Sequence, residues 1–205
     1  MKSYKPTTPS RRHMTTVSYR GVLTASEPLK SLTKGGKRAV GRNNKGRITT
    51  RHKGGGHKRL YRDIDFKYNK IDIPAKIQTI EYDPNRSGFI ALVAYADGEK
   101  RYILAPKSIK VGDTFTVSEK ASTTPGNRLP LKYIPVGTFV YNVELQSKGG
   151  SKLARSAGSH VEVVANEGGF THLKMPSSEI RKVPEMAWAC IGEVSNEEYK
   201  LRTIG

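Results

Sequence analysis

Phe89-Ile-Ala-Leu-Val-Ala-Tyr95 is an apolar run of strand length, Ala96-Asp-Gly98 interrupts it, and Glu99-Lys-Arg-Tyr-Ile-Leu-Ala105 follows. Together they spell a β-hairpin. Asp-Gly is a tight-turn signal because glycine accepts positive φ, and the flanking runs supply the two strands. Working outward, Ala75 to Tyr82 is a further strand candidate, closed by the turn Asp83-Pro84-Asn85, and Val111 to Val117 carries a turn and a short strand. About five short strands within roughly 55 residues is the scale of a small closed barrel. Ser118 to Pro130, rich in Ser, Thr, Gly and Pro, reads as a linker.

The pattern then restarts. From Val136 to Leu145 the alternation puts Phe139, Tyr141, Val143 and Leu145 on one face and Thr138, Asn142 and Glu144 on the other. Val161 to Ala165, the turn Asn166-Glu-Gly-Gly169 and Phe170 to Met175 form a second hairpin. Ser178 to Val183 and Ala187 to Val194 complete a second barrel. Ser195 with Glu198 three residues on is a weak capping box, predicting one short helical turn. Tyr82, Tyr95, Phe139 and Tyr141 are expected to fill barrel cores. The fold class is mainly β, with few helices and no internal repeat.

Charge divides the chain differently. The whole sequence has 36 Lys and Arg against 18 Asp and Glu, a net charge of +18. Residues 1–62 hold 17 basic residues and one acid, Glu27, while residues 63–205 hold 19 basic and 17 acidic residues. Nearly all the excess therefore sits in the first third, and it points to a polyanion. That third has only 15 apolar residues. Ordering about 60 residues costs roughly 60–120 kcal/mol of backbone entropy. So much of this segment is expected to order only against its partner, and removing residues 1–40 is expected to leave both barrels folded.

Enzyme signatures are missing. There is no GxxxxGK[ST] loop, no GxGxxG after a clear strand and no HExxH. His52 and His57 are the only close histidines, and the residues between them, Lys53 and three glycines, offer no carboxylate. No metal and no cofactor is expected. The single cysteine, Cys190, sits in an apolar strand beside Trp188 and reads as a buried thiol. The longest apolar run, Phe89 to Ala96, is too short to span a bilayer, and Met1-Lys-Ser-Tyr-Lys-Pro6 has no apolar core for a secretory signal. A cytoplasmic, soluble protein is the expectation.

The sharpest motif is Gly41-Arg-Asn-Asn-Lys-Gly-Arg-Ile-Thr-Thr-Arg-His-Lys-Gly-Gly-Gly-His-Lys-Arg-Leu-Tyr-Arg62. Arg42, Lys45, Arg47, Arg51, Lys53, Lys58, Arg59 and Arg62 supply phosphate contacts. Glycines let the backbone approach a polyanion and present its N–H groups. Asn43, Asn44, Thr49, Thr50 and His52 add neutral groups for sugar hydroxyls and base edges, and His57 can stack. This glycine-broken form suits an irregular RNA better than a DNA major groove.

Gly41 to Phe66, Glu81-Tyr-Asp-Pro-Asn-Arg-Ser87 with Arg101-Tyr-Ile-Leu-Ala-Pro-Lys107, Asn127 to Gly137, and Lys152-Leu-Ala-Arg-Ser-Ala-Gly158 resemble the bacterial large-ribosomal-subunit protein family "L-two". Tyr4-Lys-Pro-Thr7 and Arg11-Arg-His13 match that family's N-terminus. The resemblance implies an oligonucleotide-binding (OB) barrel followed by an SH3-like barrel, with a basic irregular N-terminal extension. The expected divisions are 1–62 for the extension and motif, 63–118 for the OB barrel, with an alternative start near 42, 119–130 for the linker and 131–205 for the SH3-like barrel.

The resemblance further implies 23S-type rRNA as partner, other large-subunit proteins around it, and small-subunit rRNA across an intersubunit bridge. The role it implies is primary rRNA binding near the subunit interface, supporting subunit association, tRNA binding and peptide-bond formation. Membrane and DNA are not implied. The candidate RNA-binding residues are Arg11, Arg12, His13, Lys37, Arg38, Arg42, Asn43, Asn44, Arg47, Thr49, Arg51, His52, Lys53, His57, Lys58, Arg59, Arg62, Lys67, Arg86, Arg101, Lys152, Arg155 and Ser156. Arg86 has an alternative reading as the cap of its own turn. The family continues into a glycine-, histidine- and arginine-rich tail carrying a proposed, disputed catalytic histidine. This sequence stops at Gly205, so a longer natural protein is expected and no catalytic residue is carried over.

Three rivals are weaker. A DNA-compacting protein would show helices or a repeated basic motif, an enzyme acting on RNA would need a paired carboxylate or metal constellation where the acids here are dispersed, and a membrane-surface protein would need an amphipathic basic helix.

Overall fold

The computed structural model describes residues 1–36 and 40–204. Two short ribbons open the chain: β1 (Lys2–Ser3) pairs with β2 (Thr15–Thr16), and β3 (Thr33–Lys34) with β4 (Tyr61–Arg62). The first barrel sheet contains β5 (Ala75–Glu81), β6 (Ile90–Tyr95), β7 (Lys100–Leu104) and β8 (Thr114–Phe115), antiparallel in the order β7-β6-β5-β8. The second part holds β9 (Arg128–Pro130), β10 (Phe139–Tyr141), β11 (Val143–Glu144), β12 (Ser151–Leu153), β13 (Val161–Glu167), β14 (Phe170–Lys174), β15 (Ile180–Pro184) and β16 (Trp188–Ile191). Six of these form a sheet in the order β15-β14-β13-β10-β16-β9, and β11 pairs with β12. Among the described residues the only helices are short 3-10 turns.

The deciding hairpin forms as its residues dictate. Ile90 pairs with Leu104 and Ala94 with Lys100, and the turn closes through Gly98 N–H on the Tyr95 carbonyl, 2.9 Å, with Gly98 at φ +86°. Its apolar run is continuous because both faces of β6 are buried. Ala91, Val93 and Tyr95 face the barrel interior with Ile77, Ile103 and Phe115. Ile90 and Leu92 join Tyr102 and Ile64 on the outer face, under Leu29, Leu32 and Phe66.

Part of the basic extension is therefore built into the barrel, contrary to the expectation for residues 1–62. Tyr19 packs edge-on against Phe89 at 5.4 Å. Ile80 N–H donates to Thr24 Oγ1, 2.8 Å, and Leu29 N–H to the Tyr102 hydroxyl, 2.8 Å. The few apolar residues of the extension suffice because they cover a face that the barrel strands leave apolar.

The barrels also share a core. Tyr141, Trp188, Cys190 and Val194 belong to the same apolar cluster as Ile77, Ile103, Phe115 and Tyr68. At this seam Arg128 and Glu144 are both about 1 % exposed, with Arg128 Nη2 2.9 Å from Glu144 Oε1. Arg128 Nη1 donates to the Asn142 carbonyl, 2.9 Å, and the guanidinium lies over the Tyr68 ring at 4.6 Å.

That seam corrects several expectations. Asn142 and Glu144, read on the face opposite Phe139, Tyr141, Val143 and Leu145, are fully buried, while Phe139 and Leu145 are exposed. Asn142 sits at φ 53°, which breaks the alternation between β10 and β11, and Glu144 turns inward to meet Arg128. Tyr95 and Tyr141 are core residues, but Tyr82 and Phe139 are not. Arg128–Pro130, expected in the linker, is the strand β9 on the edge of the second sheet. The turn Glu197–Leu201 exists without the capping box: Asn196 precedes it in the left-handed region, and Ser195 Oγ accepts the Phe89 N–H, 3.1 Å.

Candidate nucleic-acid interface

The ribbon β3–β4 projects the cationic loop. Every residue from Arg42 to Leu60 is exposed, and residues 41–59 carry seven Lys and Arg with no acid. None of the seven stands within ion-pair distance of a carboxylate among the described residues. The charge is thus unneutralised among the described residues.

The first half of the loop is a small hairpin that the sequence closes on itself. Gly41 O accepts Thr49 N–H at 2.8 Å, and Asn43 Oδ1 accepts the N–H groups of Lys45, 3.0 Å, and Arg47, 2.9 Å. A side chain at Gly41, φ +69°, would bring its Cβ within 2.3 Å of the Thr50 carbonyl oxygen, so only glycine fits. Arg42 Nη1 donates to the Gly46 carbonyl, 2.8 Å. The second half bends through His52 at φ 58° and through Gly54, Gly55 and Gly56, all at positive φ. His57 Nδ1 is 2.9 Å from the Lys58 carbonyl.

The turn Asp83–Arg86 anchors the stem. Asn85 Nδ2 donates to the Leu60 carbonyl, 2.7 Å, and Arg59 Nη1 to the Pro84 carbonyl, 2.7 Å. Asp83 is fully buried and accepts from Arg86 Nε at 2.5 Å, with Arg62 Nη1 3.9 Å away. Arg62, expected among the RNA contacts, is itself buried and bonds the Leu60 carbonyl.

The remaining sequence candidates fall into separate places. Arg11, Arg12 and His13 are exposed beside the β1–β2 ribbon, which also meets Thr203 through Thr15 N–H, 2.9 Å. Lys37 and Arg38 lie outside the described residues. Arg42, Asn43, Asn44, Arg47, Thr49, Arg51, His52, Lys53, His57, Lys58 and Arg59 share the exposed loop, although the carbonyl of Asn43 and the hydroxyl of Thr49 are used in closing it. Lys67 is exposed. Arg101 is held by Glu99, 2.6 Å, and Asp65, 2.7 Å, which keep its guanidinium above its ordinary pKa. Lys152, Arg155 and Ser156 are exposed on the second barrel.

Sequence reading missed Phe66. The Arg155 guanidinium lies 4.7 Å from its ring centre and that of Arg86 5.6 Å, so one aromatic side chain gathers a cation from each barrel. It also missed Tyr61 and Asn85 at the loop base; the only signal was the Asp-Pro-Asn turn. The outer face of β6–β7, part of the surface with which OB barrels generally bind oligonucleotides, is covered here by the chain's own residues 29–32 and 64–66. The exposed, acid-free cationic surface lies instead on the loop.

Two small fused β-barrels displaying an acid-free, glycine-rich cationic loop define a nucleic-acid-binding protein. Comparison with known families makes the class specific. Residues 29–117 match "Ribosomal Proteins L2, RNA binding N-terminal domain", and residues 124–205 match "Ribosomal Proteins L2, C-terminal domain". The chain belongs to the ribosomal protein L2 family, a family of RNA-binding proteins of the large ribosomal subunit. Its two barrels are the OB and SH3-like folds.

Proposed function

We propose that this chain is a primary rRNA-binding protein that stabilises large-subunit, 23S-type rRNA near the subunit interface. The observation that carries this reading is the loop from Arg42 to Leu60, exposed along its whole length and free of acids. Its cations replace condensed counterions on the rRNA backbone, and their release drives binding. Arg86 and Arg155, gathered on Phe66, add a second contact spanning both barrels. Neighbouring large-subunit proteins and, across an intersubunit bridge, small-subunit rRNA complete the partner set; DNA and membrane do not belong to it. By holding rRNA in place the protein supports subunit association, tRNA binding and peptide-bond formation in the cytoplasm. It is not an enzyme: it contributes no catalytic group of its own and uses no metal or cofactor.

The test is binding to transcribed large-subunit rRNA across a salt series. If about eight phosphates are neutralised, log K falls against log salt with a slope of roughly −6 to −7. A slope shallower than about −3, or equal affinity for duplex DNA, would overturn the reading. Arg155→Ala weakens binding by about ten-fold or more, as for a lost charge-assisted contact, without lowering the melting temperature.

A further inference from the structure

We propose that the cleft at the base of the cationic loop is a cradle for one unstacked ribonucleotide, with its base on Tyr61 and its 2′-hydroxyl on His57. This rests on the RNA-binding reading and specifies the form of RNA that the site takes. The cleft measures about 1050 Å³, and Gly35, Gly36 and Gly56 form part of its wall. Ligand sites generally span roughly 300–1000 Å³, so one nucleotide has room. Walls without side chains let a flat base lie against the backbone.

Tyr61 supplies the stacking surface. It lies in β4 opposite Lys34, yet remains 49 % exposed. Aromatic contacts occupy Tyr19, Tyr82, Phe89, Tyr95, Phe115 and Phe139 elsewhere, but no ring or guanidinium among the described residues covers Tyr61. An exposed phenol ring at the mouth of a cationic cleft is the arrangement on which single-stranded bases stack.

His57 supplies the discrimination. The Lys58 carbonyl, 2.9 Å from Nδ1, can only accept, so in the tautomer that makes this bond Nδ1 donates and the lone pair is left on Nε2. The neighbouring side chains of Lys58 and Arg59 are donors only. Asn85 Nδ2 is already committed to Leu60 and Asp83. Phosphate oxygens satisfy the donors. Nε2 can accept from a hydroxyl or amino donor once water is displaced, and the 2′-hydroxyl is the donor that RNA has and DNA lacks.

The test uses transcribed large-subunit rRNA, with 2′-hydroxyl acylation as the footprint. Wild-type protein protects a nucleotide that is reactive, and hence unpaired, in free RNA. Tyr61→Ala lowers affinity about 5- to 150-fold, the range for loss of one stacked base, while Tyr61→Phe stays within about two-fold. A single 2′-deoxy substitution at the protected position weakens wild-type binding about 2- to 10-fold, as for one hydrogen bond, and leaves His57→Ala unaffected. The control Lys45→Ala reduces affinity but keeps the footprint. Equal binding by Tyr61→Ala, or the same deoxy penalty in His57→Ala, overturns the cradle while RNA binding stands. Should Tyr61→Ala fail to fold, His57→Ala, on an exposed loop, decides alone. Absence of wild-type binding would overturn the RNA reading itself.

Discussion

Arg128 is the residue on which the seam depends. Its guanidinium is buried with Glu144, and the same carboxylate accepts Lys148 N–H at 3.0 Å. Removing one partner strands the other in a dry site, so Arg128→Ala and Glu144→Ala each cost about 3–5 kcal/mol. Replacing both with apolar residues, Arg128→Met with Glu144→Leu, removes the desolvation penalty as well, and costs far less than the two single changes together. Urea unfolding of the three variants checks this. The buried phenols make a second prediction. Burial raises the pKa of Tyr68, Tyr95, Tyr102 and Tyr141, and pushes Tyr102 up to about 12. An unfolded tyrosine ionises near pH 10. The unfolded chain therefore loses these protons first, and stability falls as pH rises from about 10 through 12. Phenolate absorbance should show these four of the ten tyrosines ionising only together with unfolding.

Among the elements, the strap from Tyr19 to Lys34 and the loop from Gly41 to Arg59 behave oppositely although both are basic. The strap covers the outer face of β6 and β7 through Leu29, Leu32 and the Leu29–Tyr102 hydrogen bond. Deleting residues 1–36 uncovers Ile90, Leu92 and Tyr102, so amide exchange across β6 and β7 rises and the melting temperature drops. Excising residues 42–58 and joining the ends with a short glycine linker removes only exposed residues. That variant keeps the exchange protection of β6 and β7 and loses most rRNA affinity. Unchanged protection after the 1–36 deletion would show that the strap is dispensable to the barrel.

At the scale of the molecule, one apolar core is shared by the two barrels. Trp188 and Cys190 of the second sheet pack with Ile103 and Phe115 of the first. Val194 closes over Gly88, where a Cβ would lie 2.8 Å from its Cγ1. A core shared by both barrels is expected to give one cooperative transition, as in a single domain. Tryptophan fluorescence, reporting Trp188, and far-ultraviolet circular dichroism should give coincident urea transitions. Two separated transitions would show that the seam is only a contact between independent domains. Gly88→Ala, which forces Val194 to shift, should lower that single transition without splitting it.

How far the sequence reaches follows from the range of the forces involved. Strand periodicity, the Asp97-Gly98 turn, the position of the charge excess and the glycine-rich motif are local, and each is legible from neighbouring residues alone. They determined the mainly β class, the two-barrel order and the polyanion partner. The inward turn of Asn142 and Glu144 was not legible, because only the arrival of Arg128 from β9 makes burial of a carboxylate favourable. Nor was the fate of the extension, whose apolar residues are too few to fold alone and order by covering a face assembled from β6 and β7. The burial of Arg62 and the gathering of Arg86 and Arg155 on Phe66 depend on segments distant in sequence meeting in space. Charge and periodicity are properties of a stretch of chain, whereas burial and pairing are properties of a meeting, and only the tertiary structure decides who meets.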